Sequence, residues 1–341
     1  MSELRRDPFT GRWTIIAEGR GARPNEHSAP APVQIDDLDC PFCEGHEART
    51  PPELAALRPT GSRPDGPGWS IRVIPNKFPT VDLSPARPLS RAPFQRAAAR
   101  GVHEVVIESP RHAPGMPYLD AAARRSLFRM YRERLRLLES RSDIAGAVLF
   151  ENWGPESGGT LWHPHAQLVA TEQRPRRLEE EAARFGPGSS GGGDDCPLEA
   201  TTRAERTEAR RVIVEDEHFT TVAPFGSEHP YEMRIVPRVH RPSLAQATEA
   251  EVDALAERLP ALLRALDAVV PGASFNWCAH GLPERLGAPF HWHIEVVPRL
   301  VRPDGFELAG ELPVNPVSPE TAAERLAASL ASTAGSGAHK S

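Results

Sequence analysis

The sequence predicts an α+β chain built from two fused halves of one plan. Three observations carry that expectation. Each half opens on a short cysteine motif: Cys40-Pro41-Phe42-Cys43 in the first, Cys196-Pro197-Leu198-Glu199 in the second. In each, a strand-like segment ends in a histidine, His112 or His240, and a leucine-rich stretch at helical spacing follows. Each then closes on a His-x-His segment at the same interval, 51 positions from His112 to His163 and 51 from His240 to His291. Like elements in one order at one spacing mark an internal repeat.

The first half is expected over residues 1–184. His103-Glu104-Val105-Val106-Ile107-Glu108 reads as a strand because β-branched residues dominate it, and Ser109-Pro110-Arg111-His112 ends it. A helix is expected from about Asp120 to Ser140, with Leu127, Met130, Tyr131, Leu135 and Leu138 as its buried stripe. Strands follow at Gly146–Glu151 and His163–Ala170. Residues 185–195, with Gly186, Gly188 and Gly191 to Gly193, read as a flexible, non-catalytic linker. The second half, 196–332, repeats the order with a strand at Glu232–Val236. Its helix begins near Thr248, where Thr248-Glu249-Ala250-Glu251 has capping-box form. Val252, Leu255, Leu259, Leu262, Leu263 and Leu266 form its apolar stripe, and Pro260 is expected to kink or split it. A strand near Ala273–Cys278, with Cys278 in the core, precedes His291-Trp292-His293-Ile294-Glu295-Val296-Val297. Residues 333–341 read as a disordered tail.

Composition narrows the function classes. The chain has 341 residues, a net charge of −6, 25% charged and 39% hydrophobic residues. That balance is ordinary for a globular protein and offers no basic surface for nucleic acid. No apolar run is long enough to span a membrane. The first residues have no apolar signal core, so a cytoplasmic location is expected. Four cysteines are too few for a disulfide framework, and Cys40-x-x-Cys43 in that compartment reads as metal or redox.

Structural zinc takes four ligands from Cys and His. Cys40 and Cys43 have the spacing, and His112 and His163 are the histidines of the same half that complete a set; a reduced thiol pair packed in a loop is the alternative. The second half offers Cys196, Glu199, His240 and His291, where the harder carboxylate shifts the preference toward zinc or iron, or toward an empty site. A different set, drawn from Glu181, His280, His291 and His293, also stands.

On a strand His163, His165 and Gln167 would share a face. If His163 faces a metal, His165 is the free imidazole beside it, a competent nucleophile near neutral pH. Attack on a nucleotide α-phosphorus would form a nucleotidyl-histidine, and Gln167 could hydrogen-bond the phosphoryl oxygens. A polar edge strand is the plain alternative. The matching position in the second half is Glu295, which repels phosphate and leaves that half structural or substrate-organising. Glycines in Asn152–Thr160 would let backbone N–H groups approach a phosphate. Arg20 and Arg23 could hold another, or could be a solvated pair.

These motifs, with Leu4-Arg5-Arg6-Asp7-Pro8, Arg72-Val73-Ile74-Pro75-Asn76-Lys77-Phe78-Pro79, Val105–Pro110, Phe150-Glu151-Asn152 and Asn315-Pro316, resemble the galactose-1-phosphate uridylyltransferases and the related ADP-sugar phosphorylases of the histidine-triad superfamily. The resemblance covers almost the whole chain. It implies two histidine-triad-like halves, an antiparallel sheet with helices packed on it, and a homodimer. It implies zinc on Cys40, Cys43, His112 and His163, His165 as nucleophile and Gln167 on the phosphate. Asn76, Asn152, Gly158, Gly159 and Thr160 would line the nucleotide pocket, and Arg20 and Arg23 would contact phosphates. Phe306 to Glu311 would reach the hexose of a neighbouring subunit. The chain departs from the family at Ala166, where many uridylyltransferases have Gly, at Glu199, and in Phe306–Glu311, which matches neither branch. The implied reaction moves UMP from UDP-glucose to galactose 1-phosphate, with a nucleotide sugar and a sugar 1-phosphate as partners. The alternatives are an ADP-sugar or dinucleoside-polyphosphate phosphorylase and a non-catalytic nucleotide sensor.

Overall fold

The computed structural model describes residues 2–22, 39–83, 94, 96–112, 115–186, 196–287 and 289–337. Arg23 and linker residues 187–195 lie outside these.

Ten strands form one antiparallel sheet. The first half supplies β3 (Ala55–Leu57), β4 (Ile71–Pro75), β5 (Gly101–Ile107), β6 (Gly146–Trp153) and β7 (His165–Thr171). The second supplies β8 (Val212–Glu215), β9 (Phe219–Val222), β10 (Met233–Pro237), β11 (Phe275–His280) and β12 (His293–Pro298). Their order is β3-β4-β5-β7-β6-β11-β12-β10-β9-β8. Outward from the seam between β6 and β11 the two arms therefore run in matching order. At the seam Asn276 lies opposite Asn152 and Phe275 opposite Trp153. A separate small sheet pairs β1 (Glu3–Arg6) with β2 (Trp13–Ile16), and β2 with β13 (Val314–Asn315).

One face of the large sheet carries α1 (Ala121–Glu139) and α4 (Glu249–Val269), which pack on each other. Leu127, Tyr131, Leu135 and Leu138 of α1 are buried as the helical period requires, with Phe128 beside them and Met130 partly buried. The six expected apolar residues of α4 are all buried. Sheet residues that meet them alternate: Ala166, Leu168 and Ala170 on β7, Ile294 and Val296 on β12. Arg134 of α1 grips Glu104 of β5 with two hydrogen bonds of 2.9 and 2.6 Å, a bidentate pair that satisfies a carboxylate otherwise buried alone. Asp120 caps α1 by accepting from the Ala123 N–H (2.8 Å), and the capping box of Thr248 and Glu251 forms as expected.

Pro260 does not split α4, which runs from Glu249 to Val269. A proline withholds the N–H that the carbonyl four residues earlier would accept. That carbonyl, of Ala256, instead accepts from Arg124 Nε of α1 at 3.1 Å, so the missing bond is replaced from outside the helix. A second correction concerns the reactive strand. Its ladder starts at His165, opposite Ile107, and His163 precedes it. Pro164 has no N–H to offer, so pairing cannot extend through it; its carbonyl still accepts from Glu108 N–H at 3.2 Å.

Other boundaries also shift. Phe185, placed in the linker by its glycine-rich sequel, ends α2 (Arg176–Phe185) and is fully buried against Phe9 and Phe290. α3 (Pro197–Glu208) starts straight after Cys196. α6 (Pro319–Gly337) carries helical backbone through residues 333–337, the first part of the expected tail; residues 338–341 lie outside the described ones. Cys278 is half-buried on the sheet face opposite the helices rather than in the core they share. No described helix is long and apolar enough to cross a membrane.

Candidate active site

The sheet face away from α1 and α4 gathers the chemically active side chains. His165 and Gln167 project from β7, His103 from the adjoining β5 and Asn152 from the end of β6, all at alternate positions of one face.

The loop after β5 meets the Cys40–Cys43 turn at one edge of this face. The Glu44 N–H donates to Pro110 O at 2.9 Å, and His46 Nδ1–H donates to Cys40 O at 2.7 Å, so both loops are held in place. Four donor atoms converge there: Cys40 Sγ lies 3.5 Å from His163 Nδ1, Cys43 Sγ 3.6 Å from the same nitrogen and 3.8 Å from His112 Nδ1. Tetrahedral zinc, with bonds of about 2.3 Å to sulfur and about 2.0–2.1 Å to nitrogen, would set sulfur and nitrogen about 3.6 Å apart. His163 Nε2–H donates to Ser109 O at 2.8 Å, which leaves the Nδ1 lone pair turned to the thiols. Burial, with His112 and His165 nearby, lowers the His163 pKa to about 4 and keeps it neutral, as a ligand must be. The donor set and its spacing fit a metal ion.

Cys196, Glu199, His240 and His291 form the equivalent cluster in the second half. Cys196 Sγ and Glu199 Oε1 each lie 3.5 Å from His291 Nδ1, and Glu199 Oε1 lies 3.5 Å from His240 Nδ1. His240 Nδ1 is buried without a hydrogen-bond partner and is aimed into the cluster, which also fits an ion. The structure divides the alternative set. His291 belongs with Cys196, while Glu181, His280 and His293 stand apart. His280 Nδ1 is hydrogen-bonded to Glu181 at 2.9 Å, and His293 Nε2 is 3.9 Å from it. Burial opposes charge on His280, but Glu181 and Glu295 outweigh it and raise the group to about 10. The ligand atoms of these three residues lie within 4.8 Å of one another and His293 Nε2 is buried without a hydrogen-bond partner, so this trio too could hold an ion.

The orientation of His165 is the central feature of the site. Its Nδ1 lies 2.7 Å from the His163 carbonyl, which can only accept. The proton is therefore on Nδ1, and the lone pair is on Nε2. Burial lowers the His165 pKa, against the pull of that carbonyl, and so keeps the ring neutral. Phe42, between the two cysteines, packs edge-on against both His163 and His165, with centroids 5.9 and 5.2 Å away. His293 repeats the geometry, with Nδ1 3.2 Å from His291 O, but its neighbour Glu295 is bound by Arg177 (2.6 Å) and Arg234 (3.1 Å). Burial opposes charge on Glu295, yet Arg177, His280 and Arg234 hold it well below the usual carboxylate range. A fixed anion there suits structure, not phosphate.

Beside His165, Gln167 Oε1 accepts from His103 Nε2–H at 2.8 Å and from Asn76 Nδ2 at 3.4 Å. Asn152 Oδ1 accepts from Asn276 Nδ2 at 2.7 Å, and the same Asn276 nitrogen reaches Ser157 O at 3.0 Å. Both amides thus have their oxygens occupied. The loop Gly154–Thr160 turns back at Gly158, whose φ of +85° favours glycine, and a Cβ on Gly159 would lie 2.8 Å from Asn152 O. Phe42, His103 and Asn276 escaped the sequence reading. Only a sheet register brings 103 beside 167 and 276 opposite 152, and Phe42 was legible only as part of its cysteine motif.

Arg20, Phe306 and Glu311 do not join this group directly, although Arg302, just before Phe306 and Glu311 in the chain, pairs with Glu156 of the glycine-rich loop at 2.7 Å. Arg20 pairs with Asp304 at 3.0 Å, and Asp304 caps α5 (Gly305–Gly310), which carries exposed Phe306 and ends at Glu311. Among the described residues no hydrogen bond, ion pair or ring contact joins these three to His165 or Gln167.

The family model described as galactose-1-phosphate uridyl transferase, N-terminal domain, matches residues 1–175, and a domain of unknown function, DUF4921, matches 119–339. The chain is 29% identical to the ADP-glucose phosphorylase of Arabidopsis thaliana over 336 residues, 94% of this chain and 91% of that protein. It is 27% identical to the galactose-1-phosphate uridylyltransferase of Thermotoga maritima over 338 residues, 96% of this chain and 98% of that one. The crystal structure of the Arabidopsis ADP-glucose phosphorylase with bound ADP-glucose superimposes with a TM-score of 0.77 at 26% identity, covering 96% of this chain and 99% of that one.

Proposed function

The chain belongs to the galactose-1-phosphate uridyl transferase family, and from that premise we propose that it is a nucleotidyltransferase working through His165, moving UMP from UDP-glucose to galactose 1-phosphate in galactose metabolism. The observation that carries this reading is the tautomer of His165. With Nδ1–H given to the His163 carbonyl, Nε2 offers its lone pair beside the free NH2 ends of Gln167 and Asn152.

In the first step His165 Nε2 attacks the α-phosphorus. The N–P bond forms as the bond to the bridging oxygen breaks, and the electron pair leaves with glucose 1-phosphate. The Gln167 NH2 donates to the phosphoryl oxygens as charge builds on them. Asn76, Asn152, Gly158, Gly159 and Thr160 line the nucleotide side. In the second step an oxygen of galactose 1-phosphate attacks the phosphorus and returns His165 to its neutral state. Cys40, Cys43, His112 and His163 would hold zinc, which supplies a structural tie between loops rather than reaction chemistry. Cys196, Glu199, His240 and His291 would hold zinc or iron. Arg20, Phe306 and Glu311 make no direct contact with His165 or Gln167 among the described residues, and we infer a homodimer in which this group, with Arg23, serves the neighbouring subunit's phosphate and hexose. A cytoplasmic location accords with this metabolism.

A second reading, an ADP-sugar phosphorylase, is favoured by the 29% identity to the Arabidopsis enzyme. It keeps the histidine adduct and replaces the sugar acceptor with inorganic phosphate. The assay is turnover of UDP-glucose with galactose 1-phosphate against ADP-glucose with phosphate. Faster uridylyl exchange is the expected outcome. Turnover of ADP-glucose alone would move the assignment to the phosphorylase.

A further inference from the structure

An amide beside a phosphate helps only if its NH2 faces the oxygens; turned the other way, its carbonyl repels them. Gln167 therefore needs its orientation fixed, and the fixing group is on the neighbouring strand. The Thr80 backbone N–H donates to His103 Nδ1 at 3.1 Å. An amide nitrogen can only donate, so Nδ1 bears the lone pair and the single proton of His103 is on Nε2. That Nε2–H points at Gln167 Oε1, 2.8 Å away. Asn76 presents only its NH2 here, 3.1 Å from His103 Nε2 and 3.4 Å from Gln167 Oε1, because its own oxygen accepts from the Phe78 N–H at 2.8 Å; with the His103 proton on Nε2, that NH2 can donate only to Gln167 Oε1. Burial lowers the His103 pKa, against the Gln167 bond, which keeps the ring neutral with one proton.

We propose that His103 is a positioning residue for nucleotidyl transfer: through the chain Thr80 N–H, His103 imidazole, Gln167 oxygen, it locks the Gln167 amide with its NH2 toward the phosphoryl group carried by His165. This rests on the nucleotidyl-transfer reading above. His103 touches neither substrate nor reacting atoms and acts through Gln167. Flipping that amide would set two donors against each other at His103 and present a carbonyl to the phosphate.

Two substitutions separate positioning from packing. The side-chain nitrogen of glutamine falls near imidazole Nε2, so His103→Gln keeps the donor to Gln167 and loses the acceptor for Thr80. The oxygen of asparagine falls near Nδ1, so His103→Asn keeps the Thr80 partner and loses the donor. The full-length proteins are mixed with UDP-glucose and with ADP-glucose, and single-turnover formation of the nucleotidyl adduct is followed by intact mass, with steady-state KM measured for the better donor. Expected are a slowing of about tenfold or more for His103→Asn with little change in KM, a rate within about threefold of the parent for His103→Gln, and no further loss when His103→Asn is added to Gln167→Ala. Equal losses in the two variants, a parental rate in His103→Asn, or an undiminished effect of His103→Asn in the Gln167→Ala background would overturn the proposal. A parent protein that forms no adduct with either donor would overturn the premise itself, and that arm is read before the variants.

Discussion

Two carbonyl oxygens, those of Ser109 and His163, decide which nitrogens of His163 and His165 carry protons. One turns His163 Nδ1 to the thiols of Cys40 and Cys43; the other turns His165 Nε2 to the open sheet face. Neither carbonyl has a sequence signature, whereas the histidines and cysteines do. This is why the Cys40, Cys43, His112 and His163 cluster could be read from residue types at a spacing, while the tautomers could not. Pro164, with no N–H to give, ends the ladder, and His163 before it leaves the strand and joins the cysteines. Cys40→Ser should lower the bound metal by about one ion per chain, measured by elemental analysis of the purified protein. An unchanged content would show that Cys40 is not a ligand.

At the scale of elements, α1 and α4 were the most legible, because their apolar stripes recur at the helical period and Asp120 and Thr248 cap them. Pro260 was the exception, since the arginine that satisfies the freed Ala256 carbonyl comes from α1, 132 residues away in sequence. The short strands β3, β8 and β9, the small sheet and α2, α3, α5 and α6 went unassigned. The strands among these are three or four residues long in the large sheet, and long-range pairing decides them. The end of α1 makes a pH-dependent contribution. Burial raises Glu139 to about 7, although Ser243 Oγ–H and Arg285 pull it down. Its unfolded value is near 4.5, so the unfolded chain releases this proton first as pH rises. The contribution of Glu139 is thus full below about pH 4.5 and falls until about pH 7, by on the order of 3 kcal/mol. Glu139→Gln removes the ionisation while its oxygen can still accept from Ser243. Urea unfolding should show the variant gaining on the parent from about pH 5.5 to about pH 8; a gap that does not widen would mean Glu139 ionises freely in the folded protein.

Across the whole molecule, the seam between β6 and β11 makes the two arms one sheet, and the second arm contributes directly to the first arm's site. Asn276 holds both the Asn152 amide and the Ser157 carbonyl of the glycine-rich loop. The repeat was readable from the 51-residue interval, but its consequence was not: periodicity does not reveal which strands meet. The arms have also diverged. His165 stands beside an amide, whereas His293 stands beside a carboxylate pinned by Arg177 and Arg234. One arm should therefore carry the covalent step and the other should not. The most direct measurement is to incubate the full-length protein with UDP-glucose, and separately with ADP-glucose, and to map any nucleotidyl group by peptide mass spectrometry under conditions that preserve the N–P bond. One nucleotide per chain is expected, on His165, lost in His165→Ala and retained in His293→Ala. A nucleotide on any other residue, or none with either donor, would contradict this assignment.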